Sequence, residues 1–551
     1  VDFGAGSAPG GNNGTNGTSD ERCRVRRHGP GGMSGPGGGA VAAVARGPLL
    51  LAVILGSGIV FLDGTIVNVA LETIGEELPA TAVGRLEGLT YVTSGYLAVL
   101  AALLIPAGAI SDARGRRRVF GLGLVGFGVA SLGCGLAPTM EILIVGRLLQ
   151  GAAGAFLVPG ALAIITAAFE GEERGRAIGV WAAATSALTT LGPLVGGVLV
   201  QSVSWRAAFL VNLPLVVIAL IALRRVPESR DPHATGRVDW LGAAVAVVAV
   251  GGLAFGLTRG QESAWQDPAA FTALAVGAAA LVAFPVLMAV RPNSLVPLEL
   301  FRNRRFSVVN LATLVIYGAL YTSMTFQSLF LQGTLGYSPL AAGIVSLPTG
   351  VLLVLLSTTA GRTAGRLGPR PFLVGGPLLM AGGLRWLARI PPTSAGWPAD
   401  PANPASLVPP VDYLVDVLPG TLLFGLGLAL LVAPLTTALM GSVPVGRASL
   451  GSAINNAISR VGSPLASAAL FIVITATFIP ALVAAVPGLT TEAAQALGIT
   501  PLLPPPANTP PDLAAAITAA STDAFRLAML AAAGLLVVGA VVSLVGLDRR
   551  R

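Results

Sequence analysis

The chain contains no lysine; all 34 of its basic side chains, in 551 residues, are arginine. A phosphate-cradling loop of the form G-x-x-x-x-G-K-[ST] needs lysine, so any ATP-driven motor would have to come from a partner. Cysteine and histidine number only two each. Cys23 falls in a polar tail, Cys134 in an apolar stretch, and His28 and His233 in polar segments, which excludes a disulfide framework and a metal site. No loop gathers the His, Asp, Glu or Ser chemistry of acid–base or nucleophilic catalysis, so no enzyme is expected. Charge is scarce as well: 11% of residues are charged against 54% hydrophobic, with a mean hydropathy of +0.78. A soluble domain of this size would lack polar surface, so the chain belongs in lipid. The net charge of +8 is spread as arginines through short loops and forms no basic face for nucleic acid. All-arginine basicity with 71 glycines fits a GC-rich, bacterial genome.

What the chain does have is long apolar runs. A bilayer core of about 30 Å needs about 20 apolar residues per helix, and about fourteen segments meet that length. They lie near 49–72, 89–111, 118–137, 141–164, 175–202, 205–223, 238–258, 269–290, 306–332, 340–361, 371–389, 413–439, 449–480 and 523–547. With both termini cytoplasmic, about 26 of the 34 arginines fall inside, which supports an even number of spans. The expected fold is therefore an all-α polytopic membrane protein. Its parts are a disordered tail (1–47), a six-helix bundle (48–225), a linker with two extra helices (226–305) and a second six-helix bundle (306–551). Paired halves of this kind mark transporters built from repeats. Two proline-rich stretches, 391–410 and 487–513, read as external loops with little regular structure. In the tail, Asn13-Gly-Thr and Asn16-Gly-Thr match a glycosylation pattern on the side assigned to the cytoplasm. Met33, just ahead of the first span, suggests that residues 1–32 are dispensable or untranslated in the natural protein.

Asp63 stands inside the first apolar run, LLLAVILGSGIVFLDGTIVNVAL. A carboxylate near mid-bilayer costs at least about 2.5–3.5 kcal/mol, so by default it faces a cavity or a partner and serves ion or substrate handling. At about 1.5 Å rise per residue it lies about 9 Å from the outer surface, and Arg147 on the fourth span reaches about the same depth. The two can meet. A guanidinium beside a carboxylate favours the ionised form and burial the neutral one, so a motion that separates them changes whether the proton is bound. The alternative is a static ion pair that joins two helices. Arg147, Gln150, Gly151 and Gly154 share one helix face. Arg460 is a second intramembrane charge without an evident acidic partner, placed either to meet an anionic substrate or to snorkel toward the cytoplasm. Asn68 and Arg460 are candidates for a cavity, as are Tyr96, Gln150, Tyr317, Tyr321, Gln327, Asn455 and Asn456, with interhelical hydrogen bonding as the alternative for each of these seven.

Several motifs sharpen this picture. GAISDARGRRRV (108–119) carries Gly108, Asp112, Gly115, Arg116 and Arg117 in the order G-x-x-x-D-x-x-G-R-R. It resembles the signature loop of the major facilitator superfamily, and LDGTIVNVAL (62–71), RLLQGAAGA (147–155) and LGPLVGG (191–197) are similar to motifs of its fourteen-helix drug:proton antiporters. WRAAFLVNLP, YSPLAAG and SAINNAISRVG share that look. The resemblance implies a proton-driven exporter of amphipathic drugs, dyes or antibiotics, multi-pass in the cell membrane, monomeric, with no cofactor beyond the proton gradient. A proton-coupled uptake carrier or an exporter of one metabolite is the alternative. It places proton coupling on Asp63 and Arg147, a conformational clasp on the 108–117 loop, and the antiporter motif on Gly192, Pro193, Gly196 and Gly197. The chain departs from the family pattern at Glu72, Tyr91, Leu188 and Gly365, the last in a weaker second copy of the loop, GRTAGRLGPR.

Overall fold

Prolines and glycines set the breaks between the helices. In the computed structural model, residues 38–547 are described apart from 170, 231–238, 264, 293, 295, 444–447, 498, 507 and 508, together with some side chains within helices, that of Asp112 among them. The expectations for Cys23, His28, Met33, the two Asn-Gly-Thr sequences and His233 lie outside those residues. The helices are α1 (Gly38–Glu77), α2 (Arg85–Arg114), α3 (Arg116–Gly135), α4 (Met140–Gly154), α5 (Leu157–Ala168), α6 (Gly171–Ser202), α7 (Ala207–Leu210), α8 (Asn212–Leu223), α9 (Trp240–Glu262), α10 (Pro268–Val290), α11 (Arg304–Leu329), α12 (Pro339–Leu367), α13 (Arg370–Leu387), α14 (Leu418–Met440), α15 (Ala448–Ala485), α16 (Thr491–Ala496) and α17 (Pro511–Gly546). No strand occurs among the described residues; a single bridge joins Asp400 and Asn403.

All fourteen apolar segments fall on helices. Among the described residues eleven helices are long and apolar enough to cross a membrane, and Ala187–Ser202 and Ala207–Leu223 are shorter apolar ones. The remaining segment is α13, 18 residues bounded by arginines. Two expected single helices are interrupted. The run 141–164 breaks between α4 and α5 because Pro159 has no N–H for the Ala155 carbonyl, and Pro214 frees the Leu210 carbonyl where α7 gives way to α8.

Packing follows a twofold logic. The second helix of the first six, α2, packs on the fifth of the last six, α15, and the fifth of the first, α6, packs on the second of the last, α12. The turns after α2 and α12 both use a glycine with positive φ, Gly115 at 109° and Gly368 at 86°. The inserted pair α9 and α10 packs mainly on itself, with α9 against α2 and α15. Only 11% of the most apolar window of α10 is buried, so α10 presents its surface to lipid. The proline-rich stretches are less open than expected. Trp397 and Ala399 are buried, the Trp397 indole donates to the Ser406 carbonyl at 2.9 Å, and 487–513 contains α16 and buries Leu502 and Leu503.

Candidate functional site: a buried ion pair and the helices around it

Asp63 sits on α1 with no solvent exposure. Its Oδ2 accepts from Nη1 of Arg147 on α4 at 2.5 Å, and its Oδ1 accepts from the Gln150 amide at 2.8 Å and the Asn212 amide at 3.0 Å. Three donors on one carboxylate match its acceptor-only, ionised form. Arg147 is equally enclosed. Its Nε donates to the Val92 carbonyl at 3.0 Å, Nη1 also donates to Gln150 Oε1 at 2.6 Å, and the guanidinium lies 4.0 Å from the centre of the Tyr96 ring. Ser131 on α3 accepts from both amides, Gln150 at 2.8 Å and Asn212 at 3.2 Å. Four helices, α1, α3, α4 and α8, thus converge on one carboxylate, and α2 closes the site with Tyr96, whose hydroxyl donates to the Val60 carbonyl at 3.2 Å.

Gly151 explains how α4 comes so near. A Cβ there would lie 2.5 Å from the Tyr96 carbonyl, so only glycine lets α2 and α4 touch at this level. The reading of residue types did not find Asn212 or Ser131. Asn212 begins α8 at the Pro214 break, which turns its amide toward Asp63; a polar residue two positions before a proline in an apolar run was the available signal. Its Oδ1 is buried without a partner among the described residues.

The antiporter-like stretch has a separate task. Gly192 and Gly196 lie against α1, where a Cβ on Gly192 would collide with the Thr65 hydroxyl and one on Gly196 would come within 3.1 Å of the Ile66 carbonyl. Pro193 removes the helix bond to Thr189, and the Thr65 hydroxyl donates to that carbonyl instead at 3.2 Å. Gly197 packs on α12, its Cβ position 2.5 Å from the Pro339 carbonyl. Beside it, Gln201 Nε2 donates to the Ala399 carbonyl at 2.7 Å and its Oε1 accepts from Leu340 N at 3.2 Å. Leu188, where the family pattern has glycine, occupies the space above Gly58 of α1.

In the signature loop, Gly115 adopts φ 109°, and a Cβ would lie 2.9 Å from the Glu228 carboxylate. Glu228, not foreseen from the motif, accepts from the backbone N–H of Arg117 at 3.0 Å and Arg118 at 3.1 Å, while Arg116 N donates to the Ser229 carbonyl at 2.9 Å. Gly108 has only Pro159 near its Cβ position, at 3.8 Å, an ordinary contact.

The remaining candidates disperse. Asn68 on α1 accepts from Thr325 at 3.2 Å and, with Gln327, lines a cavity of about 60 Å³, room for water only. Asn455 on α15 donates to Asn310 at 3.0 Å and Thr313 at 2.9 Å, which engages it between helices. Asn456 is half-buried, its carbonyl accepting from Ser459 at 2.8 Å. Arg460 is buried against the Phe61 ring.

Residues 53–467 match the model of the Major Facilitator Superfamily. The chain belongs to that superfamily. As a member it is a transporter and not an enzyme. It is 34% identical over 445 residues to the multidrug resistance protein Stp of Mycobacterium tuberculosis, a match that covers 80% of this chain and 78% of Stp. It is 30% identical over 424 residues to the tetracenomycin C resistance and export protein of Streptomyces glaucescens, covering 77% and 75%. Among solved structures, a bacterial homologue of the human lysosomal transporter Spinster, inward-facing and occupied, superimposes with a TM-score of 0.60 at 16% identity, over 91% of this chain and 96% of that one.

Proposed function

We propose that this transporter is a proton-coupled exporter of amphipathic organic compounds, of the fourteen-helix drug:proton antiporter kind. It works as a monomer in the cell membrane, with both termini cytoplasmic and alternating access between bundles at 48–225 and 306–551. The observation that carries the reading is the Asp63 site. In the ionised state every neighbour donates to the carboxylate. A proton on Asp63 adds an O–H that needs an acceptor, and the Arg147 contact loses its charge partner. Gln150 Oε1 is already taken by Arg147, so the site rearranges: Arg147 moves away, or the Asn212 amide turns its free oxygen toward the new proton. Because α1, α3, α4 and α8 all hold parts of this site, such a rearrangement shifts helices against one another. The close packing of Gly197 and Gln201 on α12 then forms the contact that opens at one end of the path when the other closes. The names of the multidrug resistance and export relatives support the choice of cargo.

The test is efflux of a fluorescent amphipathic dye from cells producing the protein, with and without a protonophore, beside Asp63→Asn at equal expression. Efflux that needs both the gradient and Asp63 is expected. Full gradient-dependent efflux by Asp63→Asn would place coupling elsewhere, and gradient-driven accumulation would make the protein an uptake carrier.

A further inference from the structure

Arg460 is the odd charge in this molecule. It lies on α15 with 6% of its surface exposed, and among the described residues it makes neither a hydrogen bond nor an ion pair. Its guanidinium instead lies over the ring of Phe61, 5.5 Å from the centre. The phenols of Tyr96 on α2 and Tyr317 on α11 are within electrostatic range of it, and the Tyr317 and Tyr321 rings lie 6.0 Å apart. Ala457, one turn earlier on α15, packs into the same buried cluster as Tyr96 and Leu100. The side chain therefore points into the junction of α15 with α1 and α2 and does not snorkel to the surface.

Asp63 does not neutralise it. Phe61 and Asp63 are two positions apart, about 200° around the helix, so they leave α1 on different faces. The Asp63 carboxylate is already filled by Arg147, Gln150 and Asn212. An intramembrane arginine is costly to keep without a partner, and its planar fork of five donors fits a carboxylate or similar oxyanion in bidentate fashion. We infer that Arg460 binds the acidic group, carboxylate or phenolate, of a planar aromatic substrate, with the rings of Phe61, Tyr317 and Tyr321 against its aromatic body. This rests on the exporter reading and gives the cargo a charge. Asp63 is reserved for the proton, and the free cation selects an anion.

The experiment is equilibrium binding to the purified protein in lipid nanodiscs, with no gradient, corrected against empty nanodiscs. The probes are 1-pyrenebutyric acid, its methyl ester and a pyrenylbutyl-trimethylammonium ion. The wild type is expected to bind the acid at least about tenfold more tightly than the ester. In Arg460→Gln that preference disappears while the ester binds as before, and in Arg460→Lys part of it remains. An unchanged ratio of acid to ester in Arg460→Gln, failure of the wild type to bind the acid, or a wild-type preference for the ammonium ion overturns the proposal. If Arg460→Gln does not fold, the wild-type order of the three probes and Arg460→Lys still decide. Proteoliposome export separates the two readings. Arg460-dependent binding of the acid without proton-driven export sinks the exporter and leaves the site. Asp63-dependent export of cations alone sinks the site and leaves the exporter.

Discussion

Among the buried polar networks of the described residues, one in the first six helices and one in the last are built from different chemistry. Around Asp63 the network is ionic, a carboxylate and a guanidinium dressed by Gln150, Asn212 and Ser131. Between α11 and α15 it is neutral: Asn455 donates to Asn310 and Thr313, and Thr322 and Ser467 share a hydroxyl contact at 3.1 Å. Both satisfy polar groups that lipid could not. Under the coupling proposed above only the first would rearrange when a proton arrives, because amides and hydroxyls do not titrate near neutral pH. On that proposal the ionic network switches and the neutral one adheres.

The largest expected effect breaks the ionic network from its cationic side. Arg147→Met strands the Asp63 carboxylate with two amide donors, and removal of one partner of a buried pair costs about 3–5 kcal/mol. Asn455→Ala removes neutral hydrogen bonds between helices, for which about 0.6–1.5 kcal/mol is expected. Cys134 reports both. It is buried, so in a Cys23→Ser background a thiol-reactive coumarin labels it only as the protein unfolds on heating. The Arg147 variant should unfold at a much lower temperature than the Asn455 variant. Equal shifts would erase the distinction between the networks.

Asn212→Leu comes next and sharpens the comparison within the ionic site. It deletes one charge-assisted donor and leaves two, an expected loss of about 1.5–3 kcal/mol by the same thermal readout. It also removes the oxygen free to take the proton of a neutral Asp63. Gradient-driven efflux should therefore fall more than it does in Asn455→Ala at matched stability. Equal efflux in the two would make Asn212 mere packing.

Gly197→Leu probes the contact between the halves. With its Cβ position 2.5 Å from the Pro339 carbonyl, the side chain forces α6 and α12 apart, an overpacking cost of about 1–3 kcal/mol. A Gln201→Cys, Leu340→Cys pair in a cysteine-free background should crosslink less in this variant. Unchanged crosslinking would show that the contact yields without opening.

The meeting of Asp63 with Arg147 was legible because helical rise converts sequence position into depth, and both charges come out at one level. Asn212 and Ser131 were not, since short polar side chains in apolar runs carry no depth signal; Pro214 marks the break beside Asn212 but not which helix its amide faces. Fourteen apolar segments were readable as helices, whereas the α4–α5 break was hidden inside a continuous apolar run. Leu188 looked like a flaw in the fifth-helix motif until the structure showed Gly58 making room for it. The motif also named Gly108, whose surroundings admit a methyl group, and could not name Glu228, which lies over a hundred residues away.

The smallest effect belongs to the two loops that relate the halves. After α2, the start of α3 is capped by Glu228; after α12, Gly368 makes the corresponding turn and Arg370 at the start of α13 donates to the Leu544 carbonyl. A carboxylate at a helix N-terminus contributes about 0.3–1 kcal/mol, less where water and salt screen it. Glu228 is exposed. Glu228→Gln keeps one acceptor oxygen for the Arg117 and Arg118 amides and loses the second along with the charge, but both contacts are open to water, so the unfolding temperature should move little and efflux should stay within about twofold of wild type. Gly115→Ala keeps the charge but places a methyl group at φ 109° against the Glu228 carboxylate, a strain of about 1–3 kcal/mol. The glycine variant should be the more damaged of the two. The reverse order would mean that the loop acts through the charge of Glu228, and the first loop would then join the ionic network as a second element that responds to charge.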